Sequence, residues 1–535
     1  MSERTLIRNA TVVDGTGGEP FVSDIVICGD RIEYIGQASG GSNACYKLVI
    51  DAAGMVACPG FIDAHGHSDG EILANKYCES KVMQGITTEV CGNCGFSPAP
   101  IAGESGAVQL MAPPRKDSAQ AHWRRLGEFL AALENNGLSM NVVTFVGHNT
   151  IRSVVMGEDD RAPSEDELLR MKTLLSEALE DGAIGLSSGL IYSPGCFSQP
   201  DELIELCRVV RHYNGLYATH MRNESYELIE AVHEAIDVAR QTAVPVQISH
   251  HKAVGKDNWG KVELTLQMIE RANQQGLDIT CDQYPYTATA TSLKMVLPRW
   301  VHSGGVEQLL QRLRDKSTLQ RIRKELENAL RSDDEWAQII VSEVAHEHLK
   351  QFEGLNMTEV AEALNKEPFD ALVYVLVEDK AQTTMVRFSL SEEDVICVMR
   401  YHRTMFGTDA SARKLKWGKE ETPSGKPHPR AFGTFPRILG RYVRERQILT
   451  LTEAIRKMTS LPASKFGLSG RGELKRNSYA DIVIFDPQSV IDASTYEEPY
   501  KAPIGIRHVF VNGIAVVLDG QLTGALPGRV IRRCS

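Results

Sequence analysis

LYATHMRNESYELIEAVHEAIDVARQTAVPVQISHHK, residues 216–252, decides the fold. Leu216–Thr219 is a short apolar strand candidate, YELIEAVHEAIDVARQ is a helical stretch, and Val246–Ser249 is a second strand candidate. Strand, helix, strand is a βαβ unit, which lays its two strands parallel. Each strand runs directly into a histidine, His220 and His250. The same texture extends both ways along the chain. Further strand candidates end at Val56–Asp63, Thr87–Cys91, Asn141–Val146, Ala183–Leu186, Leu277–Thr280 and Arg403–Gly407, with helical stretches such as SEDELLRMKTLLSEALEDG between them. Eight parallel units of this length fit a closed (β/α)8 TIM barrel, an α/β fold.

The ends of the chain read differently. TLIRNATVVDGTG, SDIVICGDRIEYIG and KLVIDAAGMVACPG alternate apolar and polar residues between Gly/Asp turns, and ADIVIFDP and IRHVFVNGIAVVLDG do the same near the C-terminus, with a turn at Asn512-Gly513. This texture predicts a small β-sandwich domain built from residues 1–57 and 470–535, around a barrel spanning 58–469. The long interval between the seventh and eighth strands predicts an inserted, mainly helical cap near 288–345. The loop GESGAVQLMAPPRKD, residues 103–117, has the least regular pattern.

Composition excludes several classes. With 58 basic and 69 acidic side chains the chain is net −11, so it gains no counterion-release energy on nucleic acid. No stretch approaches the ~18 apolar residues that span a bilayer, and MSERTLIRNATVV has no apolar signal core. The eleven cysteines are odd in number and scattered, as expected of thiols in a reducing cytoplasm. The expected partner is a small-molecule substrate rather than nucleic acid or membrane.

Almost every middle strand ends in a metal-capable residue, and in a TIM barrel those ends share the face that carries the active site. His65 and His67 follow GFIDA; a spacing of two puts both on one face of a strand, where they can grip one metal. Cys94 follows TTEVCGN. Its neighbour Cys91 forms a CxxC with it, but no second pair exists to complete a structural zinc knuckle, and the surrounding glycines and prolines argue for a loop; Cys91 reads as a packed thiol. His220 and His250, on adjacent strands, complete a Cys/His/His set of the kind that holds zinc with an open position. His251 must point the other way if its strand continues. Asp409, after MFGT, is a carboxylate placed to move a proton, with a helix N-cap as its ordinary alternative. His148, in FVGHN, is open between a supporting and a substrate-facing role. His346-Glu347-His348 reads as surface.

The motifs PGFIDAHGHSD, GITTEVCGNCGFSPAP, LSSGLIYSPG, THMRNE, ISHHKAVG, DQYPYTATAT, GTDAS, PHPRAFGTFPRILGRYVRE and RGELKRNSYADIVIFDP run over almost the whole chain. Together they resemble the D-aminoacylase, or N-acyl-D-amino-acid deacylase, group of the amidohydrolase superfamily. The resemblance implies a tight zinc on Cys94, His220 and His250, and a second, weaker metal position on His65, His67 and Asp409. It implies Asp409 as general base and then acid, Tyr192 near the scissile carbonyl, and Lys252 and Tyr284 on the substrate carboxylate. The group often reads YPYxAGST, with its serine on that carboxylate. Here the aligned residue is Ala290, and Thr289, Thr291 or Ser292 are the candidates to replace it.

The implied activity is zinc-dependent hydrolysis of N-acyl-D-amino acids to a carboxylate and a free D-amino acid. A dipeptidase cutting L-residue–D-residue peptides would use the same site. A cyclic-amide hydrolase of the dihydropyrimidinase kind would carry a lysine at the fourth strand end, where this chain has GLSSGLIY. A metal-free scaffold would have no chemical need for the ligand set.

Overall fold

The computed structural model describes residues 4–37, 46–101, 123–330, 332–415 and 425–533. The irregular loop 103–117 lies outside them.

All eight strand candidates of the middle enter parallel ladders. One ladder runs in the order Thr404–Phe406, Ile279–Gln283, Val246–Ile248, Leu216–His220, Gly185–Gly189 and Val146–Gly147; the other in the order Phe61–Asp63, Ile86–Cys91 and Asn141–Thr144. The two ladders meet at both ends. The Phe145 amide donates to the Cys91 carbonyl (3.0 Å), the Ala64 amide donates to the Phe406 carbonyl (3.1 Å), and Gly66 bridges Ala410 in parallel.

Several strands differ from their sequence pattern, among them the first and the fourth. Val56–Asp63 divides, because Val56–Pro59 pairs antiparallel with Ile482–Phe485 in the terminal sheet while Phe61–Asp63 opens the parallel ladder. Gly60, at the switch, has no room for a side chain: a Cβ there would lie 2.1 Å from Thr87 Oγ1. The fourth strand continues past Leu186 to Gly189. Apolar periodicity misses this extension because Ser187 and Ser188 are buried, with the Ser188 hydroxyl satisfied by Tyr217 Oη (2.6 Å) and Thr219 Oγ1 (2.9 Å).

The helices follow their local chemistry. In Glu165–Asp181, Ser164 and Glu167 form a reciprocal capping box, Gly182 ends the helix at φ 117°, and Met171, Leu175, Ala178 and Leu179 bury one stripe. A separate apolar cluster, with Ile62, Val90, Val143, Ala218 and Met405 from different parallel strands, is joined by Phe466 and Leu468. It fills the space between the strands and leaves their C-terminal ends for polar groups.

Strands from both termini form one nine-stranded sheet, in which Arg4–Val12, Phe21–Cys28 and Arg31–Gly36 reach Ile482–Phe485 and Ile506–Val511 through Val56–Pro59, and Leu48–Asp51 pairs with Arg4–Val12 off this path. The Asn512-Gly513 turn is present, with both residues at positive φ (47° and 81°), as a tight hairpin between twisted strands requires.

The insertion holds more strand than its sequence suggests. Ala288–Ser292, Thr384–Phe388 and Ile339–Glu343 form a three-stranded antiparallel sheet. With helices such as Lys316–Ala329 and Pro368–Glu378 they surround a second apolar core that reaches from Leu293 to Met385, past the expected boundary near 345. Among the described residues no helix is long and apolar enough to cross a membrane.

Candidate metal centre and active site

The strand ends bring two groups of donor atoms together: His65, His67, Cys94 and Asp409, and Cys94, His220 and His250, each within 4.8 Å. Cys94 belongs to both. Its Sγ lies 3.3 Å from His65 Nε2 and 3.5 Å from His250 Nε2. His67 Nε2 lies 3.0 Å from Asp409 Oδ1, and His65 Nε2 3.6 Å from the same oxygen.

The backbone aims these side chains. Cys94 (φ 53°), His250 (φ 34°) and Asp409 (φ 49°) all leave their strands in the left-handed region, which costs a non-glycine residue of order 1–3 kcal/mol. Gly66, between the two histidines, is forced by packing, since a Cβ there would sit 1.9 Å from Glu89 Oε1. The loop carrying His65 and His67 is fixed from beneath by Lys81. This fully buried ammonium donates to Asp63 (2.8 Å), Thr408 Oγ1 (2.7 Å) and the Ala410 carbonyl (2.7 Å), and lies 3.0 Å from Glu89. It therefore ties the first strand end to the Asp409 loop.

The donor set fits a thiophilic divalent cation. His220 is 6% exposed, yet neither ring nitrogen has a hydrogen-bond partner among the described residues. Burial and neighbouring His250 hold its imidazole below the ordinary range, in the neutral form that ligates metal. Burial opposes ionisation of Cys94, but the imidazoles of His65, His220 and His250 hold its thiol well below the usual range. Burial also works against the Asp409 carboxylate, which Arg430 and the histidines nevertheless keep well below its usual range. A thiolate, imidazoles and a carboxylate make a zinc-type set.

Tyr192 stands beside this centre, its ring 4.9 Å from that of His220 and its hydroxyl 3.1 Å from Thr291 Oγ1. Burial, and then the charge of Cys94, push its hydroxyl well up, so it stays a proton donor.

The residues expected on the substrate carboxylate are not all brought together. Lys252 is buried, with its ammonium on Glu224 (2.5 Å), His250 Nδ1 (2.6 Å) and the His250 carbonyl (2.7 Å). Two of its three donors are thus engaged on oxygen, while His250 Nδ1, which also faces Glu224 at 3.0 Å, must carry a proton for Nε2 to ligate a metal. Ser292 is not brought to the site; its hydroxyl turns to the Thr383 carbonyl (3.4 Å), and alternation along the strand sends Thr291 inward instead. Tyr284 is brought in, with a buried hydroxyl that has no hydrogen-bond partner among the described residues. Arg430, from PHPR, stands over its ring at 4.6 Å, donates to Asp409 (2.6 Å) and to the Ala290 carbonyl (3.2 Å), and keeps a buried Nε without a partner among the described residues. At position 290 the backbone oxygen, rather than a side chain, meets this cation.

Sequence reading missed Arg430, Glu224 and Asp282, which stand inside quoted motifs with nothing local to mark their partners. Three other residues stay apart. His148 is buried on Glu202 (2.7 Å), which also pairs with Arg152. His251 faces Thr265 (2.8 Å), and Cys91 is a packed thiol pushed up by burial. In the charged surface stretch, His346 pairs with Asp379 (2.9 Å) and His348 is exposed.

The amidohydrolase family pattern matches residues 48–324 and 424–517. The chain belongs to this family. Over 528 residues this amidohydrolase is 34% identical to the D-aminoacylase of Alcaligenes xylosoxydans xylosoxydans, covering 99% of this chain and 97% of that protein. It is equally 34% identical to the N-acyl-D-glutamate deacylase of the same organism, over 99% of this chain and 96% of that one. The crystal structure of N-acyl-D-glutamate deacylase from Bordetella bronchiseptica, complexed with zinc and a phosphonate inhibitor, superposes with a TM-score of 0.83 at 30% identity, covering 100% of both chains.

Proposed function

We propose that this amidohydrolase uses zinc to hydrolyse the amide bond of N-acyl-D-amino acids, releasing a carboxylate and a free D-amino acid. The carrying observation is the pair of donor groups that share Cys94, with the unpartnered His220 in one and Asp409 in the other. Cys94, His220 and His250 hold the tight ion, and His65, His67 and Asp409 form the second, weaker position. The near full-length likeness to deacylases of N-acyl-D-amino acids supports the substrate class.

Zinc, when bound, supplies Lewis acidity that lowers the pKa of a coordinated water to roughly 7 and polarises the amide carbonyl. Asp409 accepts the water's proton and later delivers it to the leaving nitrogen. Tyr192 donates to the scissile carbonyl oxygen as that atom gains charge. Arg430 Nε and the Tyr284 hydroxyl, both buried and unpartnered, supply the donors a desolvated substrate carboxylate needs.

We also propose that the parallel ladders close as a (β/α)8 barrel over 58–469. The terminal strands (1–57 and 470–535) form its composite β domain, and the insertion from Ala288 to Phe388 forms its cap.

A turnover panel of N-acetyl-D and N-acetyl-L amino acids, with an L–D dipeptide and metal analysis on the same sample, tests the activity. The D series turns over and the L series does not; the reverse preference overturns the assignment. The same sample carries about one tightly bound zinc per chain with sulfur in its shell. X-ray absorption showing only nitrogen and oxygen ligands would remove Cys94 from the centre.

The carboxylate contact is separable by KM. Arg430→Met raises KM by ~10-fold or more, in line with loss of a charge-assisted hydrogen bond, and the effect shrinks for a substrate amide lacking the carboxylate. Lys252→Met raises KM less. The opposite order returns the contact to Lys252.

A further inference from the structure

We infer that Asp282 is a positioning residue that couples the two metal positions, holding the ring of His65 for the weaker one and the backbone of His250 for the tight one. The inference rests on the two-position reading of the centre given above.

Asp282 lies in the strand Ile279–Gln283, two residues before Tyr284, and is 1% exposed. Its oxygens meet groups from two other strands, Val246–Ile248 with the residues after it and the end of Phe61–Asp63. Oδ1 accepts the His250 amide (2.8 Å), Oδ2 accepts Gln247 Nε2 (2.7 Å), and His65 Nδ1 lies 3.3 Å and 3.4 Å from the two oxygens. Its own carbonyl accepts the His251 amide (2.8 Å).

Two consequences follow from donor chemistry. An ionised carboxylate only accepts, so His65 carries a proton on Nδ1, which leaves Nε2, the nitrogen facing Cys94 and Asp409, as the atom to ligate a metal. This is the carboxylate–histidine arrangement that fixes a ligand's tautomer and orientation. Separately, His250 sits at φ 34°, a conformation a non-glycine residue keeps only when its surroundings enforce it. The hydrogen bond from its amide to Asp282 is one such restraint. Glu224 performs the matching task on the His250 ring, 3.0 Å from Nδ1, so the tight position has a second support that the His65 side lacks.

Asp282→Asn separates the two functions. The amide oxygen still accepts the His250 N–H, but the amide nitrogen cannot accept from His65 or Gln247. Zinc alone is titrated into metal-stripped protein against a chromophoric chelator, which resolves two dissociation constants. The variant weakens the second position by ~10-fold or more and leaves the tight one within about 3-fold. Equal weakening of both, or an unchanged second position, overturns the inference. Should Asp282→Asn lose its folded melting transition, Gln247→Leu decides. It keeps the carboxylate but removes one of its anchors, and weakens the second position by about 3-fold; no change there overturns the inference. A wild-type isotherm with a single site overturns both this inference and the two-position reading, whereas two wild-type sites with no response to Asp282 overturn this inference alone.

Discussion

Asp409→Asn lowers kcat by ~10²-fold or more while zinc stays at the tight position, because the amide keeps the size of the carboxylate and loses its capacity to accept a proton. The geometry supports this separation. Asp409 lies in the donor group with His65 and His67, not in the one formed by Cys94, His220 and His250. Its Oδ1 lies 3.0 Å from His67 Nε2 and its Oδ2 takes the Arg430 guanidinium at 2.6 Å. Asparagine also leaves that buried guanidinium without its anion, so a moderate loss of stability accompanies the loss of turnover. Zinc content and kcat measured on one preparation distinguish the effects. A variant with full zinc and near-normal kcat would take Asp409 out of the mechanism.

Lys81→Met destabilises the fold by ~3–5 kcal/mol, the cost of removing one partner from a buried ion pair. Both carboxylates beside Lys81, Asp63 and Glu89, are fully buried. Burial already pushes the Glu89 carboxyl up against the pull of Lys81, so removing the ammonium leaves two buried acids without the cation that balances them. Thr408 and the Ala410 carbonyl lose a donor in the same step. Denaturant unfolding followed by tryptophan fluorescence reads the change. A loss under about 1 kcal/mol would mean that the cluster relaxes or takes up protons without cost, and that another contact holds the Asp409 loop.

The readable part of this site was the part whose chemistry is odd for its place. A thiol, four histidines and an aspartate just after apolar strands have little reason to be there except a shared ligand. The helix Glu165–Asp181 was readable because its cap, stripe and terminal glycine are all local. What escaped depends on partners far apart in the chain. Lys81 sits in an ordinary ESKV turn, and only the fold reveals that Thr408 waits for it. The strand Thr384–Phe388 pairs with Ala288–Ser292 across almost a hundred residues, so no local pattern joins it to the cap. Lys252 was placed on the substrate carboxylate by resemblance, and its acceptor Glu224, in the loop after the preceding strand, carries no local mark of that pairing. Ser292 and Thr291 differ by one step of alternation, which sequence alone does not phase.

Cys94, His250 and Asp409 leave their strands at backbone angles that glycine would adopt more comfortably. A laboratory selection that rewarded only survival of heat would favour glycine at these three positions, relieving the backbone while deleting a thiolate, an imidazole and a carboxylate. In this protein, robustness and chemistry compete for the same residues, so a screen for sturdier variants needs a catalytic threshold at every round.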